Sequence, residues 1–253
     1  MFHKTKGKGH PGLVVLAIIL IWIIASYSVR QPSLVLPTPS ETVLALAQLL
    51  SIGTILLDLG ATLYRVIVAF GLALLSGVVA GILIGINQSL SKSLELVFDF
   101  FRTLPAVVLL PLFLLIFGIN DVARIGLATF VGFWIVGLTV IYGMMHRSDH
   151  RIKLARVMKA KDLDIFRDVV VYESLPSIFA GAKLAFPVIL IIIITAEMLA
   201  SPNYGIGVRL IDLQSRYKTP EVYGVTILIS ILGYLASRLL TGLENNFVHW
   251  KTS

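Results

Sequence analysis

Six stretches of this chain are too long and too apolar to read as buried helices of a soluble domain: residues 13–29, 61–86, 95–118, 121–145, 184–200 and 221–243. At about 1.5 Å of rise per residue, roughly 20 apolar residues cross a hydrocarbon core of about 30 Å. The first stretch, just enough to span, reaches about 26 Å. Lipid offers no water to an unpaired N–H or C=O, so a chain that crosses repeatedly must do so as helices. The fold class expected is an all-α polytopic membrane protein with about six transmembrane helices. Composition agrees: apolar residues make up 57% of the chain, charged ones 14%, and the mean hydropathy is +0.91, outside the range of an ordinary soluble domain. The chain has no cysteine, which excludes a disulfide framework and a thiolate metal site.

Between the fourth and fifth stretches lies the longest polar run, residues 146–183. It carries Arg147, Arg151, Lys153, Arg156, Lys159, Lys161 and Arg167, well ahead of the next span. Loops this rich in Lys and Arg belong on the cytoplasmic side. With both termini on that side, the inner segments also hold Lys4, Lys6, Lys8, Lys92, Lys183, Arg238 and Lys251, against Arg30, Arg209, Arg216 and Lys218 outside. The net charge of +7 is thus explained mostly by topology, not by nucleic acid. Leu154, Val157 and Met158, then Leu163, Ile165 and Phe166, recur at helical spacing. That spacing predicts two short helices outside the bilayer with an apolar face for a cytosolic partner. A simple solvated loop is the plainer alternative.

Residues 1–12 read as a basic tail, and residues 13–253 as a single membrane domain. The start of the chain also suits a signal peptide, but no clean cleavage site follows and further spans do, so a retained helix is expected. Pro32, Pro37 and Pro39 exclude a helix over 31–41, and Ser40 is placed to cap an amphipathic helix over 42–57, in the outer interface. Ala69, Ala73, Gly77, Gly81 and Gly85 fall every four residues, a small stripe that lets another helix approach unless the register is chance. Residues 87–94 and 201–220 read as polar loops. Pro105 and Pro111 each remove a helical hydrogen bond, which predicts a kinked third span. Backbone groups freed at membrane depth are tolerated only against protein or a water-lined cavity. The candidate residues of a translocation path are therefore Arg102, Leu104, Pro105, Pro111 and, near the outer end of the fifth span, Glu197. A carboxylate there needs a partner, for which Arg65 and Arg124 are the candidates. The pair reads either as a fixed interhelical bridge or as part of a gate or substrate contact.

Several motifs carry a resemblance. Leu36-Pro37-Thr38-Pro39-Ser40-Glu41 resembles the Leu-Pro-x-Pro-Ser opening of ABC-importer permeases of the nitrate, sulfonate, taurine and bicarbonate branch. Arg102-x-x-Pro105, Leu110-Pro111-Leu112 and Phe117-Gly118-Ile119 are similar to the same branch. With Gly205-Ile206-Gly207 and Asp212-Leu213-Gln214 the likeness extends over about residues 34–243. In the basic loop, Leu175-Pro176, Phe179-Ala180-Gly181 and Leu184 resemble the segment that docks on the ATPase. Counting back seventeen residues from Pro176 puts Lys159 at the family's glycine, and Lys153-Leu154-Ala155 at its Glu-Ala-Ala, of which only Ala155 is retained. A lysine at φ > 0 costs roughly 1 kcal/mol. Either the turn is built differently here or the two helices run closer to continuous.

The resemblance implies a type I ABC importer transmembrane domain in a bacterial cytoplasmic (inner) membrane. Its partners would be ABC ATPase subunits, which carry ATP and Mg²⁺, a periplasmic or lipid-anchored binding protein, and a second permease. The implied ATPase-coupling residues are Ala155, Lys159, Ala160, Lys161, Leu163, Ile165, Phe166, Leu175 and Pro176. The implied cargo is a small oxyanion or organosulfonate (nitrate, bicarbonate, taurine, an alkanesulfonate), with a vitamin precursor as the alternative. One chain supplies one of two halves, so a homodimer is expected, and the divergent loop keeps a heterodimer open.

No Gly-x-x-x-x-Gly-Lys-Ser/Thr occurs, so the chain does not cradle ATP itself and is expected to be a transport subunit without a cofactor of its own. His146 and His150 stand four apart without a His-Glu-x-x-His pattern, and no Ser/His/Asp set is visible. The competing class is a self-contained secondary carrier or membrane enzyme. A coupled carrier would show midmembrane carboxylates and an inverted repeat. Spans one, two, four and six carry no such acid, and no repeat is visible.

Overall fold

The computed structural model describes residues 11–28, 35–146, 149–200 and 203–248. The basic tail with Lys4, Lys6 and Lys8 lies outside the described residues, as do Pro32, Arg30, Arg147, and Lys251 with its neighbour His249. No strand occurs among the described residues. The helices are α1 (Pro11–Ser28), α2 (Pro39–Ile52), α3 (Thr54–Gly85), α4 (Gln88–Thr103), α5 (Ala106–Phe117), α6 (Asp121–Met145), α7 (Asp149–Val157), α8 (Asp162–Leu199), α9 (Ile206–Ser215) and α10 (Thr219–Phe247). By length and apolarity α3, α6, α8 and α10 can each cross a membrane, while α4 and α5 pass that test only as a pair.

The third span is not one kinked helix: α4 and α5 meet at 89°. Pro105 lacks an N–H and holds Leu104 extended (φ −64°, ψ 128°), which ends α4. Pro111 stays inside α5. Residues 87–94 are not a loop either. The Asn87 side chain accepts from the N–H groups of Ser89 and Leu90 at 3.0 and 3.2 Å, and buried Ser91 donates back to the Ile84 carbonyl at 2.9 Å. These polar residues stitch a short turn between two helices instead of forming a solvated link. Within 201–220, α9 replaces the expected loop; Ile206 and Leu213, two turns apart, are its buried face.

The second short helix of the basic loop has no separate existence. A π-helical turn over Ile165–Val171 joins Asp162–Asp164 to Tyr172–Leu199, and Pro176 and Pro187 lie inside the resulting rod. The fifth span therefore begins well before residue 184. The wider π turn lets Ile165 and Val170, five residues apart, both point inward.

One compact unit comprises the described residues through Leu56 and Arg209–Ile229. Thr38, not Ser40, caps α2. Its hydroxyl accepts the Glu41 N–H at 3.3 Å, while Glu41 Oε2 accepts the Thr38 N–H at 2.8 Å. Pro39 suits the first helical position and so moves the start back. Trp22 donates its indole N–H to the Pro37 carbonyl at 3.0 Å and stacks on Tyr223.

The other unit comprises Leu57–Val208 and the described residues from Ser230 onward. The small stripe of α3 lies directly on α6. A Cβ added at Gly77 would fall 2.8 Å from Val136 Cβ, one at Gly81 2.6 Å from Val140 Cβ, and one at Gly85 would collide with Met144. Ala69 and Ala73 continue the stripe, fully buried. Such close approach maximises dispersion contact where lipid supplies no hydrophobic drive. On another flank of α6, Gly181 leaves room for Thr139 and Val136, and Gly143 for Ser177, so α8 packs there.

Candidate functional site

α4, α5, α6 and α8 border a cleft of 740 Å³. Its walls are mainly apolar: Ala106 and Val107 from α5, Val131, Ile135 and Leu138 from α6, and Leu184, Val188, Ile191 and Ile192 from α8. Leu104, at the corner that Pro105 enforces, lines it too, so the broken backbone does lie against a cavity. Arg102, Thr139 and Tyr142 supply the polar side chains, and Arg102 is the one charged residue on the wall.

Local packing positions these groups. Phe101 stacks on Trp134 with centroids 4.5 Å apart and planes 9° off parallel, and Phe98 meets the same indole edge-on at 4.7 Å. Aromatic pairs of this kind add about 0.5–1.5 kcal/mol beyond area burial. Gly137 makes room for Phe98: a Cβ there would lie 2.6 Å from its ring. The last turn of α4 is thereby clamped to α6, which sets Arg102 beside the cleft. Arg102 donates from Nε and Nη2 to Asp99 Oδ1 at 3.2 and 3.0 Å. The Tyr142 hydroxyl donates to Glu95 Oε1 at 2.8 Å.

Glu197 does not line this cleft. It is fully buried in a polar cluster that joins α3, α6, α8 and residues 204–207. Arg65 Nη1 donates to Glu197 Oε1 at 2.6 Å and to the Tyr204 carbonyl at 2.8 Å, while Arg65 Nε donates to Asp121 Oδ1 at 2.8 Å. The Thr62 hydroxyl lies 3.0 and 2.9 Å from the two Glu197 oxygens, and the Gly207 N–H donates to Oε2 at 3.0 Å. Thr62 Oγ1 also accepts the Ile206 N–H at 2.9 Å, and Asp58 accepts that of Gly205 at 3.0 Å. Arg124 reaches Asp121 Oδ1 at 2.9 Å and the Ala200 carbonyl. Of the two partners expected for Glu197, Arg65 is the direct one. The Gly-Ile-Gly run serves close approach: a Cβ on Gly205 would fall 2.6 Å from Glu197 Cδ. Every Glu197 oxygen is satisfied by fixed groups, which makes this a bridge between elements.

The basic loop turns at Lys159, whose φ is +57°. The Ala160 N–H bonds the Ala155 carbonyl at 3.1 Å, and the Lys159 N–H bonds that of Arg156 at 2.9 Å. This is a Schellman motif with lysine where glycine is usual. The left-handed conformation costs roughly 1–2 kcal/mol for a residue with a Cβ. Neither expected alternative holds: the turn is not built differently and the helices are not nearly continuous, because Lys159 itself takes the left-handed conformation. α7 is held beneath by Ile152, packed on the main core, and by the Arg151–Glu173 ion pair at 3.1 Å. Around the turn, Val157, Met158 and Leu163 are at least 75% exposed, and Leu154 is exposed as well.

The candidate coupling residues therefore divide. Lys159, Ala160, Lys161 and Leu163 lie on the open turn, Ala155 is half-buried beside it, and Phe166 is only partly exposed. Ile165 points into the protein at 5% exposure and holds the loop down. Leu175 and Pro176 are half-buried along α8. Of the candidate path residues, Arg102 and Leu104 line the cleft, Pro105 makes its corner, and Pro111 is not on its wall. Sequence reasoning missed Thr139 and Tyr142, which have no motif around them. Thr62 was findable, since it lies on the face of α3 shared by Arg65, Ala69 and Ala73.

Residues 77–249 match the family described as "Binding-protein-dependent transport system inner membrane component". A Bacillus subtilis (strain 168) permease protein assigned to aliphatic sulfonates transport is 28% identical over 99% of this chain and 92% of its own length. The nitrate import permease protein of Leptolyngbya laminosa is 30% identical over 76% of this chain and 68% of its own. The formylaminopyrimidine transport permease protein of Halalkalibacterium halodurans is 25% identical over 95% of each. Among solved structures, an amino acid ABC transporter crystallised with histidines shares the fold at a TM-score of 0.60, with 17% identity, over 80% of this chain and 96% of that one. The cleft and the rod-borne loop thus sit in a type I importer transmembrane fold, and the chain belongs to the binding-protein-dependent inner-membrane permease family, the multi-pass, non-catalytic subunits of ABC importers.

Proposed function

We propose that this chain forms half of the translocation path for a small anion, an organosulfonate or oxyanion such as nitrate or bicarbonate. The observation that carries this reading is the cleft whose one charged wall residue is Arg102. A guanidinium as the one charged group on a mainly apolar wall lowers the cost of bringing an anion out of water and does nothing comparable for a cation. The names of the sulfonate and nitrate relatives support the same class. The formylaminopyrimidine relative and the apolar cleft walls favour a second reading, a neutral vitamin precursor. Uptake by cells whose sole importer contains this chain separates them. Accumulation of ethanesulfonate, nitrate or bicarbonate, lost with Arg102→Ala at normal membrane abundance, supports the anion. Accumulation of formylaminopyrimidine alone refutes it.

The permease domain is read as residues 13–253, with both ends in the cytoplasm of a bacterial inner membrane, and its loop over 146–183 as the coupling element. α8 carries this loop at one end and Leu199 at the other, so the two lie on opposite faces of the membrane. The exposed Val157, Met158 and Leu163 would enter an apolar recess of the ATPase, with Lys159 and Lys161 steering from the rim. ATP and Mg²⁺ belong to that partner, and this chain needs no cofactor. A second copy of the chain completes the path, and an external binding protein delivers the cargo. Mass measurement of the purified assembly tests the homodimer: one copy beside a different permease would refute it.

A further inference from the structure

Arg102 is only half committed. Both of its bonds go to a single oxygen, Asp99 Oδ1, from Nε at 3.2 Å and Nη2 at 3.0 Å. Nη1 has no hydrogen-bond partner among the described residues. Both side chains of this pair keep solvent access, Arg102 at 49% and Asp99 at 41%. Because the guanidinium is planar, holding its Nε–Nη2 edge also fixes the plane of the opposite edge, Nη1 with the second hydrogen of Nη2. That free edge offers two parallel N–H bonds, which match two oxygens of one anion. A monatomic anion has no second acceptor to offer.

The neighbouring charges sharpen the distinction. Glu95, on the same helix as Asp99 and Arg102, is bonded to the Tyr142 hydroxyl at 2.8 Å. Asp99 already takes the Nε–Nη2 edge of Arg102, so an arriving anion meets the remaining edge and gains most where it offers two acceptors to it.

We propose that Arg102 reads the cargo through a two-oxygen contact and that Asp99 is its positioning residue, so the cleft selects oxyanions (sulfonate, nitrate, carboxylate-like) over halides. The inference rests on reading the cleft as the path and the cargo as an anion. It goes further by assigning the contact geometry and the residue that sets it.

The test uses the complete importer, this chain with its ATPase and binding protein, in proteoliposomes. Uptake of ethanesulfonate, nitrate and bicarbonate is measured with and without excess bromide. The wild type carries at least one of these oxyanions, and bromide inhibits weakly. Arg102→Lys keeps the charge and loses the fork, so maximal uptake falls roughly tenfold. The half-saturating concentration, set by the binding protein, stays put. Asp99→Asn keeps the guanidinium and frees its plane, so maximal uptake falls severalfold and bromide inhibition rises. Arg102→Gln serves as the charge-free comparison, and ATPase co-purification checks the assembly of every variant. Wild-type rates in assembled Arg102→Lys, or unchanged uptake and bromide inhibition in assembled Asp99→Asn, would overturn the proposal. Failure of the wild type to carry any of the three oxyanions while it carries formylaminopyrimidine would instead overturn the anion reading on which it rests.

Discussion

Removing the Arg65 guanidinium tests what the buried cluster does. In Arg65→Met the side-chain volume is nearly kept, but Glu197 loses its 2.6 Å ion pair and stays at 0% exposure. Thr62 and the Gly207 N–H still donate to it, so the carboxylate keeps hydrogen bonds and loses its counter-charge. The Tyr204 carbonyl and Asp121 each lose a donor as well, though Asp121 keeps Arg124 and is half-exposed. Breaking one side of a buried ion pair typically costs about 3–5 kcal/mol, two to four powers of ten in the folded-to-unfolded ratio. Arg65→Met with Glu197→Gln removes the stranded charge while keeping an acceptor for Thr62 and Gly207, so about half of that loss should return. The assay is thermal unfolding of the detergent-solubilised protein, followed by size-exclusion fluorescence, with membrane abundance alongside. Asp121→Asn should be milder than Arg65→Met, since its carboxylate reaches solvent. If Arg65→Met unfolds with the wild type, or the double variant is less stable than the single one, Arg65 is not the counter-charge that fixes Glu197.

Other expectations follow from the same geometry. Gly81→Val puts branched carbons where Val140 already sits within 2.6 Å of the new Cβ; overpacking of about 1–3 kcal/mol or more should appear as low membrane abundance, and normal abundance would contradict the α3–α6 contact. Lys159→Gly removes roughly 1 kcal/mol of left-handed cost while Lys159→Ile adds to it, so loop amides should exchange more slowly in the first and faster in the second, and the reverse order would refute the turn. Val157→Glu with Leu163→Glu places two charges on the exposed rim of the turn; the ATPase should no longer co-purify although the permease is made normally, and full retention would show that this turn is not the coupling element. The chain has no native cysteine, so Leu104→Cys and Thr139→Cys should react with water-soluble thiol reagents in a nucleotide-dependent way, and equal protection in all nucleotide states would remove the cleft from the path.

Much of the architecture was legible in the amino-acid sequence because single-chain periodicity carries it. Long apolar runs and the absence of water in lipid dictate helices. The four-residue recurrence of Ala69, Ala73, Gly77, Gly81 and Gly85 dictates a face that can meet another backbone, and α6 does lie there. The isolated acid Glu197 announced a partner. The turn at Lys159 was not legible: a lysine there argued for another kind of turn or a nearly continuous helix, yet the lysine itself takes the left-handed conformation. Sequence could not grade the two prolines of the third span. Both lack an N–H, yet Pro105 ends a helix clamped by the Phe101–Trp134 stack, while Pro111 is absorbed into α5. Nor could it decide that Ile165 turns inward while Leu163 stays open, because a π turn shifts the register that helical spacing assumes. Whether Glu197 faced a path or a partner, and which residues stand around Arg102, depended on contacts between side chains on different helices. Local pattern specifies what each helix is. Only the packing of those helices determines which polar group is sealed between them and which is left facing a cavity.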